Sequence, residues 1–375
     1  MKKEKVLVAM SGGVDSAVAA ALLHQQNYDV IGVTLRLYTP EITDGLSSQR
    51  NCCGIEEVGD AKKVAAILDI PHYVINMEKE FEKKVINFFA EEYKNGRTPN
   101  PCLNCNRHIK FDTLLNQTKA MDIQYLATGH YATITNNNDT YSLHAAHDVT
   151  KDQSYVLYNL SQQQMRHIKF PLGKLNKTET RKIAADLGFA VATKPDSVDI
   201  CFVTSNSYKD FLKKKDVDFT DGNVINTSGK AIGTHEGIPG YTIGQRKGIT
   251  YTTNVSEPQY ITDFNLKTNE ITVGNKKDLY IDTIIIEDVN WISGQPTHKE
   301  EVLCRVRYNG EHETCTVQSI DNQIHIILKK PIIKPSNGQS CVIYKNNPHE
   351  EGEVIGGGII QNCVLSTHNV EKINN

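Results

Sequence analysis

Lys5-Val-Leu-Val-Ala-Met10, Ser11-Gly-Gly-Val-Asp-Ser16 and Ala17-Val-Ala-Ala-Ala-Leu-Leu-His24 follow one another without a break near the start of a 375-residue chain. The first is a short apolar run of the kind buried on both faces of a parallel sheet. The last is rich in good helix formers and carries an apolar stripe. Strand, glycine turn and helix in that order set backbone N–H groups at a helix N-terminus, where phosphate binds. The two glycines let the backbone approach an anion closely, and Ser11 and Ser16 add hydroxyl donors. No lysine stands in the loop, as a Walker-type phosphate loop would require. The bland alternative is an ordinary glycine turn with a serine cap, and the context favours the phosphate loop.

Working outward, the pattern alternates strand and helix up to about residue 205. Tyr28 to Leu35, Pro71 to Asn76 and Tyr125 to His130 read as strands, and Glu56 to Leu68, Phe81 to Tyr93 and Ile109 to Met121 as helices. Such alternation predicts an α/β doubly wound parallel sheet with ligands at the carboxyl ends of the strands. Residues 39–59 lack periodicity and read as a loop. Asn206 to Lys215 reads as a short basic helix, after which Asp221 to Gln259 turns rich in Gly, Asn, Thr and Tyr, the texture of a small linking domain. From about residue 278, alternating runs such as Glu301 to Tyr308 and Gln323 to Leu328, separated by Asn-Gly and Asp-Asn turns, predict a small antiparallel β-barrel. The expected division is 1–205, 206–277 and 278–368.

Hydrophobic residues make up 39% and charged residues 23% of the chain, the balance of a soluble globular protein. The net charge of −3 does not advertise a nucleic-acid binder. Its distribution is uneven, however. Arg166, Lys169, Lys174, Lys177, Arg181 and Lys182 face one acid, Glu179, and a second basic group lies between Arg305 and Lys345. Each could be a solvated face, and together they could track phosphates. Nine cysteines, an odd number with no secretory signal or long apolar run, point to a reducing, cytoplasmic setting and no membrane partner.

Cys102 and Cys105 form a C-x-x-C, by itself half a zinc site, a redox pair or chance. Cys201, between Ile200 and Phe202, has the surroundings of a small buried hydrophobe. Context changes both readings. Ser11 to Ser16 resembles the PP-loop of the ATP pyrophosphatases. Beside it stand Gly96-Arg-Thr-Pro-Asn-Pro101, Ala127-Thr-Gly-His-Tyr-Ala132, Lys151-Asp-Gln-Ser-Tyr155, Ile200-Cys-Phe202, Gly244-Gln-Arg-Lys-Gly248 and Gly356-Gly-Gly-Ile-Ile360. In this order and spacing they resemble the tRNA-specific 2-thiouridylases over nearly the whole chain.

The resemblance implies an N-terminal PP-loop domain, a small central domain and a C-terminal β-barrel. It also implies exchange of the wobble-uridine C2 oxygen for sulfur in tRNAs for Lys, Glu and Gln, using ATP with Mg²⁺. By the same resemblance, Ala9, Met10, Ser11, Gly12, Gly13, Val14, Asp15, Ser16, Leu35 and Gly129 bind ATP. Cys105 is the nucleophile and Cys201 carries a persulfide, charged by a sulfur donor protein (a cysteine desulfurase or a sulfur carrier). Turnover would leave the two cysteines as a disulfide. Asn100, Pro101 and Cys102 meet the target base, while His130, Lys151, Asp152, Gln153, Arg307, Tyr308 and Gln339 contact tRNA. Cys102 departs from the acidic residue that many family members carry there. Either that acid is dispensable, or Cys102, Cys105 and Cys201 hold a [4Fe–4S] cluster with one open position. Zinc on Cys102, Cys105 and His108, with Cys52 or Cys53, is a further alternative.

Overall fold

The computed structural model describes residues 3–38, 55–196, 200–203, 207–253, 257–345 and 352–366. Two compact units divide the chain, one built from residues 1–86, 101–206 and 344–355, the other from 87–100, 207–343 and 356–375.

In the first unit, β1 (Lys5–Ala9), β2 (Asp29–Arg36), β3 (His72–Asn76), β4 (Tyr125–Thr128), β5 (Thr133–Asn137), β6 (Thr140–His144) and β7 (Ile168–Lys169) follow in chain order. Five of them form a parallel sheet in the order β3-β2-β1-β4-β7. The apolar run that forms β1 lies at its centre, with Val6 and Val8 sealed from solvent. The helix Val14–Gln25 is buried nearly all round, since Ala17 to Ala21 are at most 2% exposed. Small side chains let it pack closely on the sheet, and each buried Val or Leu of this core contributes about 1.5–3 kcal/mol. The order places β2 and β4 on opposite sides of β1. The chain therefore reverses direction across the sheet between β1 and β4, and a crevice opens at their carboxyl ends.

The helix expected from Glu56 spans Ile55–Ile67, so the end of the expected loop is helical, and its remainder from residue 39 lies outside the described residues. The helix expected over Ile109 to Met121 begins earlier. Pro101–Asn104 opens it, and Cys105–Leu114 continues it with wider, π-type hydrogen bonding. The hairpin of β5 and β6 was not expected. Its turn holds Asn138 and Asp139 at φ 51° and 63°, the left-handed pair of a type I′ turn.

In the second unit, β8 (Gly222–Asn226), β9 (Ala231–His235), β10 (Thr250–Tyr251), β11 (Tyr260–Asn265) and β12 (Glu270–Gly274) form a sheet ordered β10-β9-β8-β12-β11. Val224, Ile261, Ile271 and Val273 form its core. β13 (Tyr280–Trp291), β14 (Val302–Arg305), β15 (Glu313–Ile320), β16 (Gln323–Ile333), β17 (Ser340–Tyr344) and β18 (Glu353–Leu365) make the expected antiparallel barrel, closed by pairing of β13 with β18. The Asp-Asn turn read from the sequence joins β15 to β16, with Asp321 and Asn322 at positive φ. The basic helix spans Tyr208–Lys214.

Candidate active site

Ser11 to Gly13 leave β1 at the point where the sheet order reverses. Gly13 is the N-cap of the helix Val14–Gln25 and brings no side-chain acceptor to it, so no side chain of the cap occupies the first-turn N–H groups. Ser16 is buried and shapes the loop from within. Its hydroxyl accepts from the Ser11 N–H at 3.1 Å and lies 3.2 Å from the Gly13 carbonyl, to which it donates. Ser11 is exposed. Gly12 sits at φ +73°, and a Cβ there would collide with the Glu57 carbonyl, so only glycine lets the loop lie against the helix Ile55–Ile67. Lys194 fastens the same contact, its Nζ 3.0 Å from Asp60 and 3.4 Å from the Gly12 carbonyl. Leu35, near the end of β2, and Gly129, just beyond β4, flank the loop's strand on either side. Gly129 packs directly on the loop, for a Cβ there would lie 2.7 Å from the Asp15 carbonyl carbon and the Ser16 nitrogen.

Asp15 does not point into the loop alone. It accepts from Tyr131 Oη at 2.8 Å and from Lys177 Nζ at 2.7 and 2.8 Å. Lys177 is also 2.8 Å from Asp196, which Lys151 meets at 2.9 Å and Arg181 at 2.8 Å. Burial pushes Asp196 up, but hydrogen bonds from Lys177 and Lys151, with their charges, outweigh it and hold the carboxyl at about 2. Arg181 is fixed by the carbonyls of Ala192 and Lys194 as well. Sequence reasoning did not assign Tyr131, Lys177, Arg181, Lys194 or Asp196 to the site. One signal was available: Asn176 and Glu179 form a capping box, which marks Lys177 as the first residue of the helix Lys177–Asp186.

Cys201 lies on the same edge of the sheet. Tyr38, just beyond the carboxyl end of β2, donates to its carbonyl at 2.7 Å, and Phe202 is buried against Phe81 at 5.8 Å. Asn100 precedes Pro101, which opens the short helix on which Cys102 is exposed. Cys105 is half-buried at the start of the π-type segment. Its neighbour Asn106 is buried and donates to the Val156 carbonyl at 3.0 Å, pinning the segment to the turn after residue 153.

The residues expected to touch tRNA divide. His130 is buried between the rings of Phe111 and Phe170, 2.5 Å from Thr128 Oγ1, and burial drives its pKa well below the ordinary histidine value. Lys151 belongs to the Asp196 cluster. Asp152 is buried and accepts from the Ala146 and Ser154 N–H groups at 3.1 and 3.0 Å. Gln153 accepts from the Tyr131 N–H at 2.9 Å. In the second unit, Arg307 and Gln339 line a cavity of about 530 Å³ together with Thr98, Gln245, Tyr260 and Lys276. Gln245 comes from the Gly-Gln-Arg-Lys-Gly motif, so the fold gathers motifs far apart in sequence. Tyr308 follows Arg307 in sequence, and Arg305 donates to its carbonyl. The basic segments are not uniform faces: Lys169 lies over Tyr125, and Lys334 is buried with its Nζ on the Thr262 carbonyl.

Among the described residues, no three His, Cys, Asp or Glu side chains converge as a metal site. Cys102, Cys105, His108 and Cys201 therefore do not assemble ligands for a cluster or for zinc here, and Cys52 and Cys53 lie outside the described residues. No described helix is long and apolar enough to cross a membrane.

Three family models match the chain. They are described as the tRNA methyl transferase HUP domain over residues 4–205, the tRNA methyl transferase PRC-barrel domain over 209–275, and the aminomethyltransferase beta-barrel domain over 281–360. A tRNA-specific 2-thiouridylase MnmA of Carboxydothermus hydrogenoformans is 40% identical over 365 residues, covering 96% of this chain and 98% of that protein. A protein of the same name from Clostridium botulinum is 42% identical over 364 residues, covering 96% and 99%. A solved 4-thiouridine synthetase–RNA complex with bound ATP overlaps 56% of this chain and 50% of its own, at 14% identity and a TM-score of 0.36. With 40% and 42% identity to these two thiouridylases over 96% of this chain and 98% and 99% of theirs, and with the glycine loop in place at the head of the sheet, the chain belongs to the tRNA-specific 2-thiouridylase family.

Proposed function

We propose that this protein thiolates C2 of the wobble uridine of tRNA, activating the C2 oxygen with ATP and delivering sulfur from Cys201. One observation carries the reading. The glycine loop at the end of β1 and the Cys201 segment, tied to Tyr38 beyond β2, occupy one carboxyl edge of a single sheet. The C2 carbonyl is a poor electrophile without a leaving group, and bonding its oxygen to the α-phosphorus supplies one. Ala9 to Ser16, Leu35 and Gly129 hold the nucleotide, with Mg²⁺ neutralising phosphate charge when bound. A persulfide on Cys201, charged by a sulfur donor protein, then supplies sulfur. Cys105 either attacks that persulfide to release sulfide or takes up the disulfide when the sulfur attacks C2. Both routes leave Cys105 and Cys201 oxidised and require a thiol reductant for the next turnover.

On this reading Asn100, Pro101 and Cys102 meet the extruded base, and the 530 Å³ cavity with Arg307 and Gln339 takes part of the tRNA. Residues 1–205, 206–277 and 278–368 act as catalytic, linking and tRNA-contacting segments. His130, Asp152 and Gln153 support the reading by holding the crevice rather than by offering surface groups. The test is to incubate the protein with tRNA, ATP and a sulfur source and identify the products. AMP, pyrophosphate and 2-thiouridine are expected from the wild type, and no 2-thiouridine from Cys105→Ser or Cys201→Ser. ADP and orthophosphate as products, or full thiolation by Cys201→Ser, would overturn it.

A further inference from the structure

A phosphate loop whose charged residue is an aspartate presents an obstacle to its own ligand. Asp15 stands in the first turn of the loop's helix, where a polyphosphate would meet it, and like charges at that range repel. The chain's answer lies 162 residues away. Lys177 takes both Asp15 oxygens at 2.7 and 2.8 Å, and its side chain is only 12% exposed. Lys177, Lys151 and Arg181 surround Asp196, so the cluster sets three cations against two carboxylates and keeps one positive charge in excess. Arg181 is committed to two backbone carbonyls and to Asp196, which makes it the anchor. Lys177 and Lys151 are the cations able to exchange a carboxylate for a phosphate.

We infer that Lys177, assisted by Lys151, binds the pyrophosphate leaving group and supplies the cation that the loop itself lacks. The inference rests on the adenylating reading above. As the uridine oxygen bonds to the α-phosphorus, the bond from that phosphorus to the bridging oxygen breaks and its electron pair leaves with pyrophosphate. The Lys177 ammonium donates hydrogen bonds to the oxygens that gain this charge, and no proton needs to be transferred. Asp196, held in place by Arg181, is then a competitor for both lysines that pyrophosphate displaces.

The experiment is an equilibrium titration of the full chain with inorganic pyrophosphate and, separately, with AMP. Chelator is present, so that only protein cations act. Hydrogen bonds to charged groups are worth enough to predict that Lys177→Gln loses about ten- to hundred-fold in pyrophosphate affinity. AMP binding should change less than about twofold, and Lys177→Arg should restore most of the loss. Asp196→Asn, which removes the competing carboxylate, should tighten pyrophosphate binding several-fold. A purely structural ion pair would give the opposite sign or no change. Unaltered pyrophosphate affinity in Lys177→Gln, or parallel loss of pyrophosphate and AMP, overturns the inference. Should Lys177→Gln fail to fold, unchanged or weaker binding by Asp196→Asn overturns it equally. Wild-type protein that releases pyrophosphate from ATP while Lys177→Gln binds it normally refutes only the lysine's role. Wild-type protein that yields ADP refutes the underlying reading first.

Discussion

Gly129→Ala isolates the contact between β4 and the glycine loop. The added methyl would lie 2.7 Å from both the Asp15 carbonyl carbon and the Ser16 nitrogen, with the Asp15 oxygen at 3.0 Å. Carbon and nitrogen atoms rest at about 3.5–4.0 Å, so the loop must retreat by roughly 1 Å. The neighbours are backbone atoms, which cannot swing aside as a side chain would. Overpacking of this kind costs about 1–3 kcal/mol of stability, and a 1 Å displacement of a binding element costs on the order of a hundredfold in rate. The expected result is a folded protein with a lower melting temperature and ATP-dependent pyrophosphate release reduced about a hundredfold. Gly59→Ala is the control. Gly59 lies in the helix Ile55–Ile67 with nothing within 4 Å of an added Cβ, and it should stabilise by about 0.5–1 kcal/mol with activity unchanged. Wild-type turnover in Gly129→Ala would refute the claim that this contact positions the loop.

Acid should weaken the first unit through a buried histidine. His130 is depressed by burial, so below about pH 6.5 the unfolded chain binds a proton that the folded one refuses, and stability falls as pH falls. Its share is at most about 1.4 kcal/mol per pH unit, lost from pH 6.5 downward until the folded-state value is reached. Urea denaturation between pH 5 and 7.5 should show a shallower slope for His130→Phe than for the wild type, and equal slopes would refute the assignment. The barrel thiols should be chemically silent. Against the opposing hydrogen bond of Cys315, the hydrogen bond of Cys341 and burial push Cys304 well above the ordinary thiol range. The hydrogen bond of Cys304 and burial push Cys315 above it too, and burial holds Cys363 at about 12. Iodoacetamide at pH 8 should therefore modify exposed Cys102 and spare these three in the native protein, as peptide mass mapping would reveal, and Cys363→Ser should thiolate normally.

The sheet, the glycine loop and the barrel were legible because each rests on local periodicity. β1 is a solid apolar run, the helix after it is nearly all Ala, Val and Leu, and the barrel strands alternate between Asp-Asn and Asn-Gly turns. Local signals of the same kind were present for the β5–β6 hairpin, whose Asn138 and Asp139 suit a type I′ turn, and for the helix at Lys177, with its Asn176–Glu179 box. What no window could show is the charge network. Asp15, Lys151, Lys177, Arg181 and Asp196 meet only because α/β winding returns distant segments to one sheet edge, and charged residues at long separation carry no period. The same limit explains Lys151 to Gln153. A motif reports that residue types matter at given positions, and the surface was the natural place to put a Lys-Asp-Gln run. Folding turns Lys151 toward Asp196, buries Asp152 among backbone N–H groups and spends Gln153 on Tyr131, whose hydroxyl reaches Asp15. Lys151, through Asp196 and Lys177, and Gln153, through Tyr131, thus reach Asp15 of the phosphate loop, while Asp152 fixes the turn between them. A loss of tRNA thiolation on changing Lys151 or Gln153 would therefore report first on how the loop is held, and binding of pyrophosphate and of tRNA must be measured separately to tell the two apart.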